Sequence, residues 1–321
     1  VILEIRNLRV EFPTRRGTLV AVDDVSLGIA PGEVLGLVGE SGAGKTLTGL
    51  AIIGLLEPPG RIAAGEVLLE GRRLDTLPHE ELRRVRGRRI GVVFQDPLTS
   101  LNPLYTIGEQ LEETILTHLP LSKPAARART LSLLRDVGIP APEARIHQYP
   151  HQFSGGMRQR VVIALALAAE PNLIIADEPT TALDVSIQAQ IIALLKRLAR
   201  ERGAAVLLIT HDMGVIAETA QRVAVMYAGR LVEVGPVREV LHSPRHPYTR
   251  GLMGSIPRIA AGQRHRRLSQ IDGAMPRLNA IPPGCAFNPR CPKRFEPCVA
   301  SRPQLAAAGS SYVACWLHAA T

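Results

Sequence analysis

Residues 39–46 read GESGAGKT, which fits the pattern G-x-x-x-x-G-K-[ST] and can grip a nucleoside triphosphate. The glycines let the backbone bend tightly, so that successive N–H groups and the positive end of the following helix face an anion. Gly39, Ser41, Gly42, Ala43 and Gly44 form the cradle. Lys45 is then placed to reach the β- and γ-phosphates, and the Thr46 hydroxyl to ligate Mg²⁺. A glycine-rich turn without a ligand is the bland alternative, and a strand before it and a helix after it argue against that.

Three further groups stand where they could act on a triphosphate. The run Leu173-Ile174-Ile175-Ala176-Asp177 is followed by Glu178 and Pro179. Two acids after a strand could be no more than a helix cap. Downstream of a phosphate loop, the first is expected to hold Mg²⁺ and the second to polarise a water. Glu178 is therefore the expected general base, a role that typically contributes about 10²- to 10⁴-fold in rate. Gln95 ends the apolar run Arg89 to Phe94 and is placed to sense the metal or the attacking water. His211 follows Ala204 to Ile209 and is placed to reach the γ-phosphate, since ligands of open α/β sheets bind beyond the carboxyl ends of strands.

These residues need rigid elements behind them. Glu33 to Val38 reads as a buried strand and Leu47 to Leu56 as the helix after the phosphate loop, stopped by Glu57-Pro58-Pro59-Gly60. Leu3 to Val10 and Leu19 to Ile29 alternate as strands around the turn Pro13 to Gly17. Phe12, at the end of the first, could stack on an adenine ring, although an aromatic at a strand end is more often packed. Gly65 to Glu70 is a further strand and Pro78 to Arg86 a basic amphipathic helix whose arginines form a solvated face.

Thr106 to His118 and Lys123 to Val137 read as helices of an inserted lobe. That lobe ends at Phe153-Ser154-Gly155-Gly156-Met157, where Ser154 is placed to cap a helix running through Ala169. Two glycines in a first turn cost helix stability. Either an anion approaches bare N–H groups there, or another backbone packs tightly. Asp184 to Arg202 is a helix, Arg222 to Tyr227 and Arg230 to Val234 a hairpin around Ala228-Gly229, and Val237 to Leu241 a short helix.

Composition sets the outer bounds. With 321 residues, 46% of them hydrophobic, the chain can bury a sizeable core. Aromatics are only 3%, which leaves few platforms for stacking nucleic-acid bases. A net charge of +9 favours an anionic partner without choosing among nucleotide, nucleic acid and membrane. No apolar run reaches the roughly 18 residues that span a bilayer, and Val1 to Ile5 lacks the features of a secretory signal. The expected location is the cytoplasm.

From about Pro257 the composition shifts to Arg, Pro and small residues, which marks an appended segment. It carries all 4 cysteines, Cys285, Cys291, Cys298 and Cys315. In a cytosolic chain such clustering favours ligation over disulfides. The spacing is not that of the usual zinc pairs, and four thiolates can hold a zinc ion or an iron-sulfur cluster, or stay unligated.

The series of motifs resembles the ATP-binding subunit of ABC transporters over about the first 250 residues. The phosphate loop, Gln95, Phe153 to Met157, Asp177-Glu178, the Thr181 to Asp184 segment and His211 occur in that family's order. Met157 replaces the commonest signature residue, Gln, while the serine and glycines are kept. The resemblance implies an α/β P-loop NTPase of the ABC type with a helical subdomain and an antiparallel N-terminal β-sheet, plus a Cys-containing C-terminal extension. The implied boundaries are 1–256 for the ATP-binding domain, with its helical subdomain about 97–165, and 257–321 for the extension.

By the same resemblance Ser154, Gly155 and Gly156 serve the ATP of a facing subunit, Asp184 joins the nucleotide-binding set, and Thr46, Gln95 and Asp177 hold Mg²⁺. Asp96 to Pro103, His246-Pro247-Tyr248-Thr249 and the cysteine tail look like the oligopeptide/dipeptide importer group, which includes nickel importers. That group implies a [4Fe-4S] cluster on the four cysteines, zinc being the alternative. It also implies a second ATPase subunit related to this chain, two transmembrane permease subunits and an extracytoplasmic substrate-binding protein, with the chain peripheral at the cytoplasmic face of the membrane. No nucleic acid is expected. A soluble ABC-type ATPase acting on nucleic acid and a non-hydrolysing nucleotide-dependent scaffold are the rivals. The single cassette with its short lobe argues against the first, and Glu178 with His211 against the second.

Overall fold

The computed structural model describes residues 1–181, 183–255 and 270–318, with Leu198 and Arg202 described by backbone alone. Ala182, within the expected Thr181 to Asp184 segment, and the expected boundary at 256/257 lie outside the described residues. The chain folds into two compact units. One comprises Val1–Leu3, Gly28–Val34 and Leu68–Leu208, the other Glu4–Leu27, Leu35–Val67 and Ile209–Thr321.

In the first unit, Ile90–Val93 and Leu173–Asp177 run parallel, with Ile90 opposite Leu173 and Val93 opposite Ala176. Both runs are short, apolar and largely buried, as strands covered on both faces must be. The helix Gly155–Leu167 packs on Ile90–Val93, and Ile107–His118 and Lys123–Asp136 pack on that helix and on each other. Each begins at a hydroxyl cap: Thr106, Ser122 and Ser154. Ile107, Leu111 and Ile115 of the first, and Leu133 and Leu134 of the second, supply the buried stripe. Arg129 and Arg88 donate to the carbonyls of Ala168 and Ala169, satisfying acceptors that a helix end leaves open. A Cβ on Gly91 would run into the Ala166 carbonyl, so only glycine lets the strand lie this close.

The second unit holds the antiparallel N-terminal sheet, in which Leu3–Thr14 lies between Gly17–Ile29 and Arg61–Leu69. It also holds Val34–Val38, whose five residues are all buried and which pairs in parallel with Arg222–Tyr227. That strand turns at Ala228 and Gly229, both at positive φ, into the antiparallel Arg230–Pro236. Two departures from expectation have clear causes. The helix after the phosphate loop is Lys45–Ile52 rather than Leu47 to Leu56, because Gly54 takes a left-handed φ of +62° and Leu55 N–H bonds back to the Leu50 carbonyl. That closes a helix before any proline is reached. The tail, moreover, is part of the fold: Ser311–Val313 pairs with Arg230–Pro236, and Ala306–Ala308 with Ser311–Val313.

Candidate functional site

The phosphate loop leaves the buried strand Val34–Val38 at Gly39, where a Cβ would strike the Met226 carbonyl oxygen. Gly44 caps the following helix at φ +105° with no side-chain cap bond, and a Cβ there would stand 2.9 Å from the Ala21 carbonyl oxygen. The helix therefore begins on open backbone N–H groups, the arrangement that receives an anion. Lys45 is buried and its Nζ donates to the carbonyls of Gly39 (2.8 Å) and Glu40 (3.1 Å). Ser41, Gly42 and Thr46 are exposed, and Ala43 is buried beneath them.

In the same unit His211 is exposed directly after the strand Ala205–Thr210. Asp212 fixes that corner by accepting the N–H groups of Gly214 and Val215. The Phe12 ring is half-buried and lies against Gly60, where a Cβ would stand 2.7 Å from Phe12 Cε1.

In the other unit Gln95 is exposed beyond Ile90–Val93, next to Asp96, whose carboxylate caps the turn at Leu98 N–H. Ser154 accepts from Met157 N–H at 3.4 Å. The two explanations of its glycine pair divide between the two residues. Gly156 is a packing glycine, since a Cβ there would stand 2.8 Å from Ile187 Cγ2. Gly155 is exposed, and a Cβ there would meet nothing within 4 Å, so its absence of a side chain leaves open space rather than filling a packing need.

Asp177 closes its strand as a buried residue. Glu178 holds a left-handed φ of +48°, an uncommon conformation for a residue with a Cβ that functional sites often retain. Its Oε2 accepts from the Thr181 hydroxyl at 2.8 Å. Asp184 has a local task as the cap of Val185–Arg202, accepting Ile187 N–H at 2.9 Å. The Ser186 hydroxyl and that N–H hold its carboxyl below the usual range.

The four thiols, none in a disulfide, line one small cavity with His246, Phe287, Asn288 and Trp316. Burial pushes Cys285 up to about 11 and raises Cys291 and Cys315. Backbone N–H groups of Phe287, Lys293 and Leu317 point at those three sulfurs and oppose the rise. Among the described residues no group of three or more His, Cys, Asp or Glu side chains is close enough to hold a metal ion, so neither the expected [4Fe-4S] cluster nor its zinc alternative meets a ready-made ligand set.

The contacts among three polar residues, Glu40, Tyr248 and Arg290, are not readable from the sequence pattern. Glu40 occupies a position of the phosphate-loop pattern that any residue can fill. Its carboxylate meets Arg290 in the tail, and its N–H meets the Tyr248 hydroxyl at 2.9 Å. A cavity of about 580 Å³ lies elsewhere, between the antiparallel sheet and the tail and lined by Arg9, Tyr227, Leu278 and Phe287. Its charges are already spent, with Arg9, Arg230 and Arg302 all bonded to Asp23. None of residues 39–46 lines it.

A phosphate loop between a buried parallel strand and an uncapped helix, with consecutive acids after a second strand and a serine-capped glycine pair, is the ABC type of P-loop ATPase. Residues 22–181 match the ABC transporter family, and residues 232–298 match the oligopeptide/dipeptide transporter C-terminal region. The chain is 50% identical over 319 residues to the dipeptide transport ATP-binding protein DppD of Bacillus subtilis (strain 168), covering 99% of this chain and 95% of that one. It is 50% identical over 287 residues to the oligopeptide transport ATP-binding protein OppD of the same organism, covering 89% and 80%. It matches the dimeric post-hydrolysis structure of the ATP-binding cassette MJ0796 bound to ADP and Pi, with a TM-score of 0.66 and 33% identity over 74% of this chain and 99% of that one. The chain belongs to the ABC transporter ATPases, in the group that carries the oligopeptide/dipeptide transporter C-terminal region.

Proposed function

We propose that this chain is the ATP-hydrolysing subunit of an importer of di- or oligopeptides, peripheral at the cytoplasmic face of the membrane. The observation that carries the reading is a formed phosphate loop on a chain whose residues 232–298 match the oligopeptide/dipeptide transporter C-terminal region. No helix among the described residues is long and apolar enough to cross a membrane, so the path for cargo belongs to two permease subunits. An extracytoplasmic binding protein delivers the peptide. The functional division follows the expected boundaries: 1–256 as the cassette, with 97–165 as its helical subdomain, and 257–321 as the extension.

Each residue has a proposed task. Lys45 turns from the loop carbonyls to the β- and γ-phosphates, and the cradle from Gly39 to Gly44 supplies N–H donors. Phe12 stacks on the adenine. The exposed Thr46 hydroxyl, Gln95 and Asp177 offer the oxygen donors that Mg²⁺ requires, and the ion, when bound, would supply neutralisation of phosphate charge. Glu178 takes a proton from the attacking water, and His211 donates to the γ-phosphate. Ser154, Gly155 and Gly156 present a helix N-terminus to the nucleotide of a second, related subunit, with Asp184 fixing the neighbouring helix. In the assembled transporter, Glu178→Gln should abolish ATP turnover and peptide uptake while MgATP still binds. Turnover that survives the substitution, or uptake of nickel in place of peptide by the intact complex, would sink this reading.

For the tail we propose a [4Fe-4S] cluster. Four thiols line one cavity, and four cysteine thiolates are the ligand set that a cube of iron and sulfide takes. The N–H groups aimed at three of the sulfurs suit bound thiolates, whose charge they stabilise. Burial raises Cys285, Cys291 and Cys315, so those three thiols hold their protons until a metal displaces them. Protein purified without oxygen should contain iron and acid-labile sulfide; zinc in their place would decide against the cluster.

A further inference from the structure

Arg290 sits in the turn Asn288–Arg290, bracketed by Cys285 and Cys291, and its side chain is only 7% exposed. Its guanidinium holds both oxygens of Glu40, Nη1 to Oε2 at 3.0 Å and Nη2 to Oε1 at 3.2 Å. The other donors are also engaged: Nε bonds the Asp272 carbonyl at 2.9 Å, and Nη2 the Ile271 carbonyl at 3.3 Å. The rings of Tyr227 and Phe287 lie 5.8 and 5.9 Å from its central carbon. A planar fork with this many partners has one available pose, and a lysine could not reproduce it.

Glu40 is committed at three points. Its carboxylate is gripped by Arg290, its N–H by the Tyr248 hydroxyl, and its carbonyl accepts Lys45 Nζ at 3.1 Å. Met275, also from the tail, reaches the same loop, with its methyl 3.3 Å from where a Gly42 Cβ would stand. At the other end, Asn288 Nδ2 bonds the Cys285 carbonyl and Cys291 N–H the Asn288 carbonyl. One chain of bonded groups thus runs from the cysteine loop to the phosphate-binding lysine.

We propose that Arg290 is a positioning residue for the phosphate loop, which ties the loop's shape to the cysteine-bearing turn and neutralises a carboxylate that would otherwise repel the triphosphate. The proposal rests on the reading that residues 39–46 bind nucleotide. It makes the cysteine loop a means of setting nucleotide affinity.

The test is titration of the full-length chain with MgADP, which avoids turnover, alongside thermal unfolding. Arg290→Gln should raise the dissociation constant about 10-fold, the scale of losing a charge-assisted hydrogen bond, and Arg290→Lys should restore only part of the affinity. In the assembled transporter Arg290→Gln should raise KM for ATP with kcat little changed. Adding Glu40→Gln to Arg290→Gln should recover most of the affinity, because the stranded carboxylate is gone. Cys291→Ser should weaken MgADP binding in the wild-type background and add nothing in Arg290→Gln. A mere staple of the tail predicts the opposite: a lower melting temperature, no rescue by Glu40→Gln and unchanged affinity in the folded fraction. That pattern, or independent effects of Cys291→Ser and Arg290→Gln, overturns the proposal. Failure of the wild-type chain to bind MgADP would instead overturn the functional reading beneath it.

Discussion

At the scale of single residues, the glycine pair after Ser154 shows how one motif divides its duties. Alanine at Gly155 meets open space and favours a helix over glycine, so Gly155→Ala should leave urea unfolding unchanged or slightly improved. Any loss of ATPase in that variant then reports on what approaches the N–H groups from outside. Alanine at Gly156 presses on Ile187, and overpacking of this kind costs about 1–3 kcal/mol. Gly156→Ala should therefore lower the unfolding midpoint, and equal stabilities for the two variants would refute this division. The phosphate loop was legible in the sequence because its chemistry demands fixed residue types at fixed spacing. Glu40 and Arg290 were not, since 250 residues of chain separate two side chains whose meeting depends on how the tail returns.

At the scale of elements, helix starts were easier to read than helix stops. Thr106 bonds Glu109 N–H while the Glu109 carboxylate accepts Thr106 N–H and its hydroxyl, a reciprocal box that the residues Thr-x-x-Glu announce. Thr106→Ala should cost about 1 kcal/mol in urea unfolding. The Thr106 N–H, then its hydroxyl, hold the Glu109 carboxyl below the usual range. A carboxyl lowered in the folded state stabilises fully above its ordinary pKa and loses that contribution as the pH falls through the lowered value. Glu109→Gln should thus be weaker than wild type at neutral pH and converge with it in acid; a gap that persists in acid would refute the assignment. The stop at Gly54 went unread because a left-handed glycine ends a helix through backbone bonds that no side chain advertises. The helix Pro247–Gly254 went unread because it is short and bounded by residues common in turns.

At the scale of the whole molecule, the cysteine tail reads in sequence as an appendage because Ala306 to Val313 carries no sustained apolar alternation. A strand pair that only extends an existing sheet needs little hydrophobic pattern of its own, since its partner supplies the template. Glu233 and Val234 are opposite Val313 and Tyr312, and Glu233 is fully buried, its carboxylate accepting the N–H groups of Arg245 and His246. A chain ending at residue 304 would lose both added strands and Cys315 and leave Arg230–Pro236 as a sheet edge carrying Leu231, Val232 and Val234. Unprotected apolar edges pair with other chains, so this truncation should elute as large assemblies in size exclusion with light scattering. Cys315→Ser keeps the strands and removes only the thiol, so it should elute as the wild type does. Were both variants to elute as large assemblies, the thiol and whatever it ligates would be what protects that edge; were both to elute as the wild type does, the edge would need no protection and the prediction would fail.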